Sequence, residues 1–111
     1  MSDVYTVKWS EYALSDLEDI IDYISKDGET VALKNLDKIQ NKVSSLTQNP
    51  LKGRVIPELG FLNVHQYREI IQKPWRIFYK VQEKTVYILA VWDGRRNIED
   101  ILMDRVMKLE G

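Results

Sequence analysis

The sequence holds no cysteine among its 111 residues and a single histidine, His65. The first absence excludes disulfides, thiolate zinc sites and a cysteine nucleophile, and it fits a reducing compartment. The second leaves neither a histidine-based metal site nor a serine–histidine–aspartate triad, so no metal and no cofactor are expected and His65 reads as a loop residue. Long apolar runs are missing as well. The longest, Val86 to Trp92, falls far short of the roughly 20 residues a membrane helix needs. The first turns of chain carry acids without an apolar stretch, so no secretory signal is expected and the protein reads as cytoplasmic, away from membranes. No repeat, low-complexity tract or linker divides the chain, and a single domain over residues 1–111 is expected.

What is present is an ordinary globular composition, 44% apolar and 30% charged. The net charge of −1 hides an asymmetry. Residues 1–51 are net −4, residues 52–96 net +5 and residues 97–111 net −2. A basic middle between acidic flanks can form a local anion-facing patch, although the total gives no general affinity for nucleic acid.

Periodicity divides the chain into elements. Val4 to Trp9 is β-branched and aromatic, the composition of a strand. Ser10 stands at a helix N-cap position, and Ala13, Leu17, Ile20 and Ile24 then recur at helical spacing until Asp27-Gly28. A second helix follows from Glu29-Thr30, with Ala32, Leu36, Ile39, Val43 and Leu46 on one face, and ends at Asn49-Pro50. Such a short connection predicts an antiparallel helical hairpin. Leu51 to Gln66 reads as a loop containing one short extended piece. Tyr67–Gln72, Trp75–Gln82 and Thr85–Trp92 are strands joined by two-residue turns, hence an antiparallel meander. A last helix carries Ile98, Ile101, Leu102, Val106 and Leu109 on one face. The order β-α-α-β-β-β-α predicts an α+β fold, an antiparallel sheet with the helical hairpin packed on one face. Trp9, Trp75 and Trp92 are expected in the core, with Trp75 beside a turn the one open to exposure.

Several motifs in that order resemble the RelE/ParE superfamily of bacterial toxin–antitoxin toxins. They are Trp9-Ser10 with Ala13 and Leu17, Gly53-Arg54 through Pro57-Glu58-Leu59, Tyr67-Arg68-Glu69-Ile70, Trp75-Arg76-Ile77-Phe78-Tyr79, and Gly94-Arg95-Arg96. The resemblance covers about residues 3–98. It implies a small toxin neutralised by a cognate antitoxin in a hetero-oligomer, acting in one of two ways. RelE-like members enter the ribosome and cut mRNA; ParE-like members poison DNA gyrase.

Cutting RNA without a metal needs a base for the 2′-hydroxyl, cations for the phosphorane and an acid for the leaving oxygen. Arg68 and Arg76 lie on neighbouring strands and Arg95-Arg96 follow the next, so the four are expected to converge on one sheet edge. The resemblance puts Arg68, Arg76 and Arg96 where RNA-cutting members carry basic groups, and Glu58 where some carry a base. An acid is missing. Residues 93 to 102 contain neither Tyr nor His, and arginine cannot serve because its pKa exceeds about 12. Ile70 stands where those members place a further lysine. Tyr79, three residues along from Arg76, should face the opposite side of the sheet and pack in the core. The ParE-like reading is therefore preferred, with Arg68, Arg76, Arg95 and Arg96 binding the target; the alternatives are an RNA-cutting toxin and a non-toxic relative. Arg76 is then expected to be removable without harm to the fold. The stripe Ile98, Ile101, Leu102, Val106 and Leu109 is expected to be packed at its near end and shared with the antitoxin's helix at its far end.

Overall fold

The computed structural model describes residues 4–60, 63–95 and 98–110, without the side chains of Ile98, Asp100, Val106, Leu109 and Glu110. Strand β1 (Thr6–Trp9) leads into helix α1 (Glu11–Ser25) and helix α2 (Glu29–Ser44). Ser10 caps α1 by accepting the Ala13 N–H at 3.1 Å, which satisfies one of the otherwise orphaned donors of the first turn. The chain reverses between the helices at Gly28, whose φ of +132° favours a residue without Cβ. A 3₁₀ turn (Ser45–Thr47) extends α2.

Strand β2 (Arg54–Val55) is the short extended piece expected between the helices and the meander. A single helical turn that the sequence pattern does not reveal, α3 (Pro57–Gly60), follows it, with proline at its first position. Strands β3 (Tyr67–Gln72), β4 (Trp75–Gln82) and β5 (Thr85–Asp93) form the expected meander. Their registers pair Gln72 with Trp75 and Gln82 with Thr85 across two-residue turns. Helix α4 (Ile98–Glu110) closes the described chain.

The five strands lie in the order β1-β5-β4-β3-β2. Among the described residues, the sheet departs from antiparallel pairing at one edge, where β1 runs parallel to β5. The elements between them, α1 through β4, supply the long crossover that a parallel pair requires.

Each face of the sheet has its own core. Under α1 and α2, Ala13, Leu17, Ile39, Val43 and Leu46 meet Ile70, Trp75, Ile77, Tyr79, Val86, Ile88 and Val91. On the other face, Ile56, Leu59 and Leu102 from α3, α4 and the segment before them meet Tyr67, Phe78, Leu89, Ala90 and Trp92. A continuously apolar β5 follows from this, because both of its faces are covered. Trp75 and Trp92 are buried and Trp9 is partly buried, so the turn at Lys73-Pro74 does not expose Trp75.

Strand β5 is irregular near its middle. Phe78 pairs with Ala90 but Tyr79 pairs with Ile88, leaving Leu89 as an extra residue, a β-bulge. The bulge turns both Leu89 and Ala90 toward the α4 side.

Candidate functional site

Arg76 is the centre of the densest polar cluster. Its side chain projects from β4 on the α3–α4 side, with the guanidinium 5.2 Å from the centre of the Phe78 ring. Nε donates to Glu69 Oε1 at 2.6 Å, and Nη2 lies 2.6 Å from the same oxygen. Nη1 and Nη2 also form a fork on Glu58, at 2.7 and 2.8 Å. The remaining Glu69 oxygen accepts Arg54 Nε at 2.6 Å. Glu69 is only 1% exposed. Its burial is tolerable because both oxygens meet a cation.

Glu58 and Arg76 each favour the other's charged form. The Arg76 fork holds the Glu58 carboxyl below the usual carboxylate range, against a smaller opposing effect of burial. Glu58 in turn raises the Arg76 pKa. A carboxylate so held is a poor proton acceptor, and an arginine on two carboxylates cannot fork onto a phosphate without releasing one. The expectation that Arg76 is removable without harm to the fold needs correction. Without it, Glu69 would keep a single partner in a buried position.

The arginines that the structure describes, Arg68, Arg76 and Arg95, are not brought together. Arg68 pairs with Tyr79 and Arg76 with Ile71 across the β3–β4 hairpin. Positions 68 and 71 differ by an odd number, so the two side chains leave opposite faces of the sheet. Arg68 Nη1 donates to the Gly53 carbonyl at 2.7 Å, anchoring the strand that leads into β2. Arg95 turns back on Asp93, with Nη2 2.6 Å from Oδ2, while its side chain stays 80% exposed. Asp93 accordingly raises the Arg95 pKa. Arg96 lies outside the described residues.

Tyr79 is fully buried on the helical-hairpin side, away from Arg76, and its hydroxyl accepts the Gly53 N–H at 3.0 Å. Burial pushes its pKa up, which removes it as a ready acid or base. His65 is exposed and bonded to Asn63. Among the described residues no cluster of His, Cys, Asp and Glu is placed to hold a metal ion.

Of the stripe on the last helix, Leu102 is 3% exposed and Ile101 is partly buried against the same core. With α4 docked, Leu102 has almost no surface to offer a partner. The side chains of Ile98, Val106 and Leu109 lie outside the described part of the helix. Among the described residues of the far half, Met107 is apolar and 69% exposed.

Three residues of these polar networks are not singled out by the sequence pattern. Glu69 stands inside a motif with no role of its own there, although the hairpin register sets it opposite Phe78 and so gives its inward direction. Asp16 and Arg105 escape because nothing in the one-dimensional pattern ties residues 89 positions apart. In the fold Arg105 forks onto Asp16 at 3.1 and 3.2 Å and donates to the Leu89 carbonyl at 3.0 Å.

This fold, a five-stranded sheet with a helical hairpin on one face, has known counterparts. Residues 7–98 match the family model described as the ParE toxin of the type II toxin–antitoxin system, parDE. The chain therefore belongs to the ParE toxin family, and it is the toxin type of a type II toxin–antitoxin system within the wider RelE/ParE superfamily. Among solved structures it is similar to a chain of the chromosomal ParDE system from P. aeruginosa. That likeness has 25% identity and a TM-score of 0.70, and covers 81% of this chain and 96% of the other. The fold is shared with a variant of the E. coli toxin RelE in the free state, at 14% identity and a TM-score of 0.62, covering 95% and 97%. It is also shared with a chain of the toxin–antitoxin complex RelBE2 from Mycobacterium tuberculosis, at 21% identity and a TM-score of 0.53, covering 82% and 92%. No curated protein matches the sequence at a significant level. No helix among the described residues is long and apolar enough to cross a membrane.

Proposed function

We propose that this toxin acts by binding rather than by cutting RNA, with DNA gyrase as its target, and that a cognate antitoxin neutralises it in a hetero-oligomer. The observation that carries the first part is the Glu58–Arg76 fork. It ties the candidate base to the candidate phosphate clamp, so neither is free for transfer of the RNA 2′-proton. The absence of Tyr and His between residues 93 and 102 leaves the leaving oxygen without a nearby acid in sequence. Membership of the ParE family supports gyrase over the ribosome.

In a binding mechanism the arginines contribute through exposed charge. Arg95, four-fifths exposed, heads that set, with Arg96 next in the chain and Arg68 and Arg76 serving more to hold the surface in shape. The P. aeruginosa ParDE system and the RelBE2 complex support an antitoxin partner by analogy. The far half of α4 is the part of the stripe left for it, because Leu102 and Ile101 are engaged by the chain's own sheet.

One experiment tests both parts. Purified toxin added to a gyrase supercoiling reaction is expected to stop supercoiling, and prior addition of the cognate antitoxin to restore it. A parallel translation reaction should leave its mRNA uncut. Cleaved mRNA alongside normal supercoiling would overturn the proposal.

A further inference from the structure

A group of basic side chains gathers on a surface that, Arg54 apart, the arginine–glutamate cluster does not use. Lys38 and Lys42 stand one turn apart on α2, about 6 Å along its axis. With Asn41, Ser45, Lys52 and Gln72 they line a shallow cleft of about 340 Å³. Lys42 and Lys52 also border an adjoining cleft of about 280 Å³, together with Arg54. The two form one trough running from α2 across the segment before β2 to the end of β3.

The charge in this trough is not compensated. None of Lys38, Lys42 and Lys52 takes part in an ion pair among the described residues. The one acid in the lining, Glu69, is buried and committed to Arg54 and Arg76. Arg54 spends its Nε there and keeps its side chain 64% exposed. Helix α1, by contrast, carries Glu11, Asp16, Glu18, Asp19 and Asp22 and no basic residue. A chain of net charge −1 is thus strongly polarised, with one helix of the hairpin acidic and the far half of the other basic.

The chemistry of the lining selects among polyanions. A protein partner is held by a desolvated apolar or aromatic centre, and here the apolar side chains, Ile70 and Ile71 at the end of the second cleft, are outnumbered by lysines, Arg54, Asn41, Ser45 and Gln72. Lysine, Arg, Ser, Asn and Gln are the side chains that contact nucleic-acid phosphates. No aromatic residue lines the trough, so unpaired bases would find no stacking platform, which favours a duplex over a single strand.

We propose that this trough is a sequence-independent contact for the phosphate backbone of duplex DNA, made by Lys38, Lys42, Lys52 and Arg54. It does not depend on which macromolecule the toxin poisons. The acidic α1 orients the approach by turning away from the duplex.

The test is fluorescence anisotropy of a labelled random-sequence DNA duplex titrated with the purified full chain at several salt concentrations. Four contacts release counterions with a log–log salt slope of about 3.6, so affinity should fall about a hundredfold between about 50 and 200 mM salt. The triple variant Lys38→Gln, Lys42→Gln, Lys52→Gln should reduce the slope to about 1 and weaken binding at least tenfold at the lower salt. A charge-matched control, Lys26→Gln, Lys84→Gln, Lys108→Gln, should bind as the parent does. All substituted side chains are exposed or partly exposed, and circular dichroism and melting curves of the variants confirm that each is folded. The proposal is overturned by no saturable binding at about 10⁻⁴ M protein at the lower salt. It is equally overturned if the triple variant and the control lose the same affinity, or if single-stranded DNA, duplex RNA or polyglutamate is bound more tightly than duplex DNA.

Discussion

At Gly53 the fold has no room for a side chain. A Cβ built there would lie 2.5 Å from the Glu69 carbonyl oxygen and 2.6 Å from the Tyr79 hydroxyl. The position is also stapled from two directions, its N–H donating to Tyr79 and its carbonyl accepting from Arg68. Gly53→Ala must push β2 away from β3, at a cost of about 1–3 kcal/mol. A lowered urea midpoint at unchanged m-value is the expected result, and a midpoint equal to that of the parent would show that β2 moves freely. The residue scale is also where the sequence is least legible. Whether Gly53 is a flexible link or a close contact depends on what lies across from it. Arg68 and Arg76 are instructive in the opposite sense. A two-residue turn at Lys73-Pro74 fixes Gln72 opposite Trp75, and parity alone then puts the two arginines on opposite faces. The same odd-spacing rule correctly sets Tyr79 away from Arg76, so the sequence holds enough to reject convergence of Arg68 with Arg76.

The elements themselves are legible because most are long and strongly periodic. Both helices of the hairpin, the meander and the final helix follow their apolar patterns, and Ser10 starts α1 as an N-cap should. The parallel docking of β1 and the one-turn α3 are not, since neither leaves a local signature. The same is true of how the free edge of β5 is closed. Beyond Trp9, strand β1 has ended, and the bulge at Leu89 leaves backbone groups of β5 without a partner strand. Side chains take them instead. The Val91 N–H donates to Asp16, and the Leu89 carbonyl accepts from Arg105 and, at 3.4 Å, from Ser10. Arg105 is sandwiched between Tyr12 and Trp92, each 4.9 Å from the guanidinium carbon to the ring centre. One ion pair thus binds α1, β5 and α4 together and covers an edge otherwise open to strand addition. Both partners are about 15% exposed or less, so the pair is worth more than a surface bridge. Arg105→Ala is expected to cost about 2–4 kcal/mol, with a coupling of about 1–3 kcal/mol to Asp16→Ala in a double-mutant cycle. Hydrogen exchange in α4 should rise in the single variants. Additive effects in the cycle would mean that α4 is held by Leu102 and its neighbours alone.

On the scale of the whole molecule, the two cores on opposite faces of one sheet make the stability of each depend on the other, since β4 and β5 contribute to both. The Glu58–Arg76 fork ties α3 to β4 within that shared sheet, and its protonation is therefore read in global unfolding. The Glu58 pKa is lower in the folded chain than its ordinary value of 4.5, chiefly through the hydrogen bonds to Arg76. Above about pH 4.5 the carboxylate is ionised in both states and the fork contributes in full. As the pH falls, the unfolded chain binds the proton first, so the contribution shrinks and is gone once the folded pKa has been passed. Glu58→Gln removes the charge at every pH. The variant should be less stable than the parent at about pH 7, and the gap between their urea midpoints should narrow steadily as the pH is lowered toward about 3. Other carboxylates titrate in the same range, but they do so in both proteins and cancel in the difference. A gap that stays constant from neutral to acid would mean that Glu58 carries no depressed pKa and that its tie to Arg76 opens in solution. The carboxylate and the guanidinium would then be available to an RNA substrate, and a toxin that acts by binding alone would lose its main structural support.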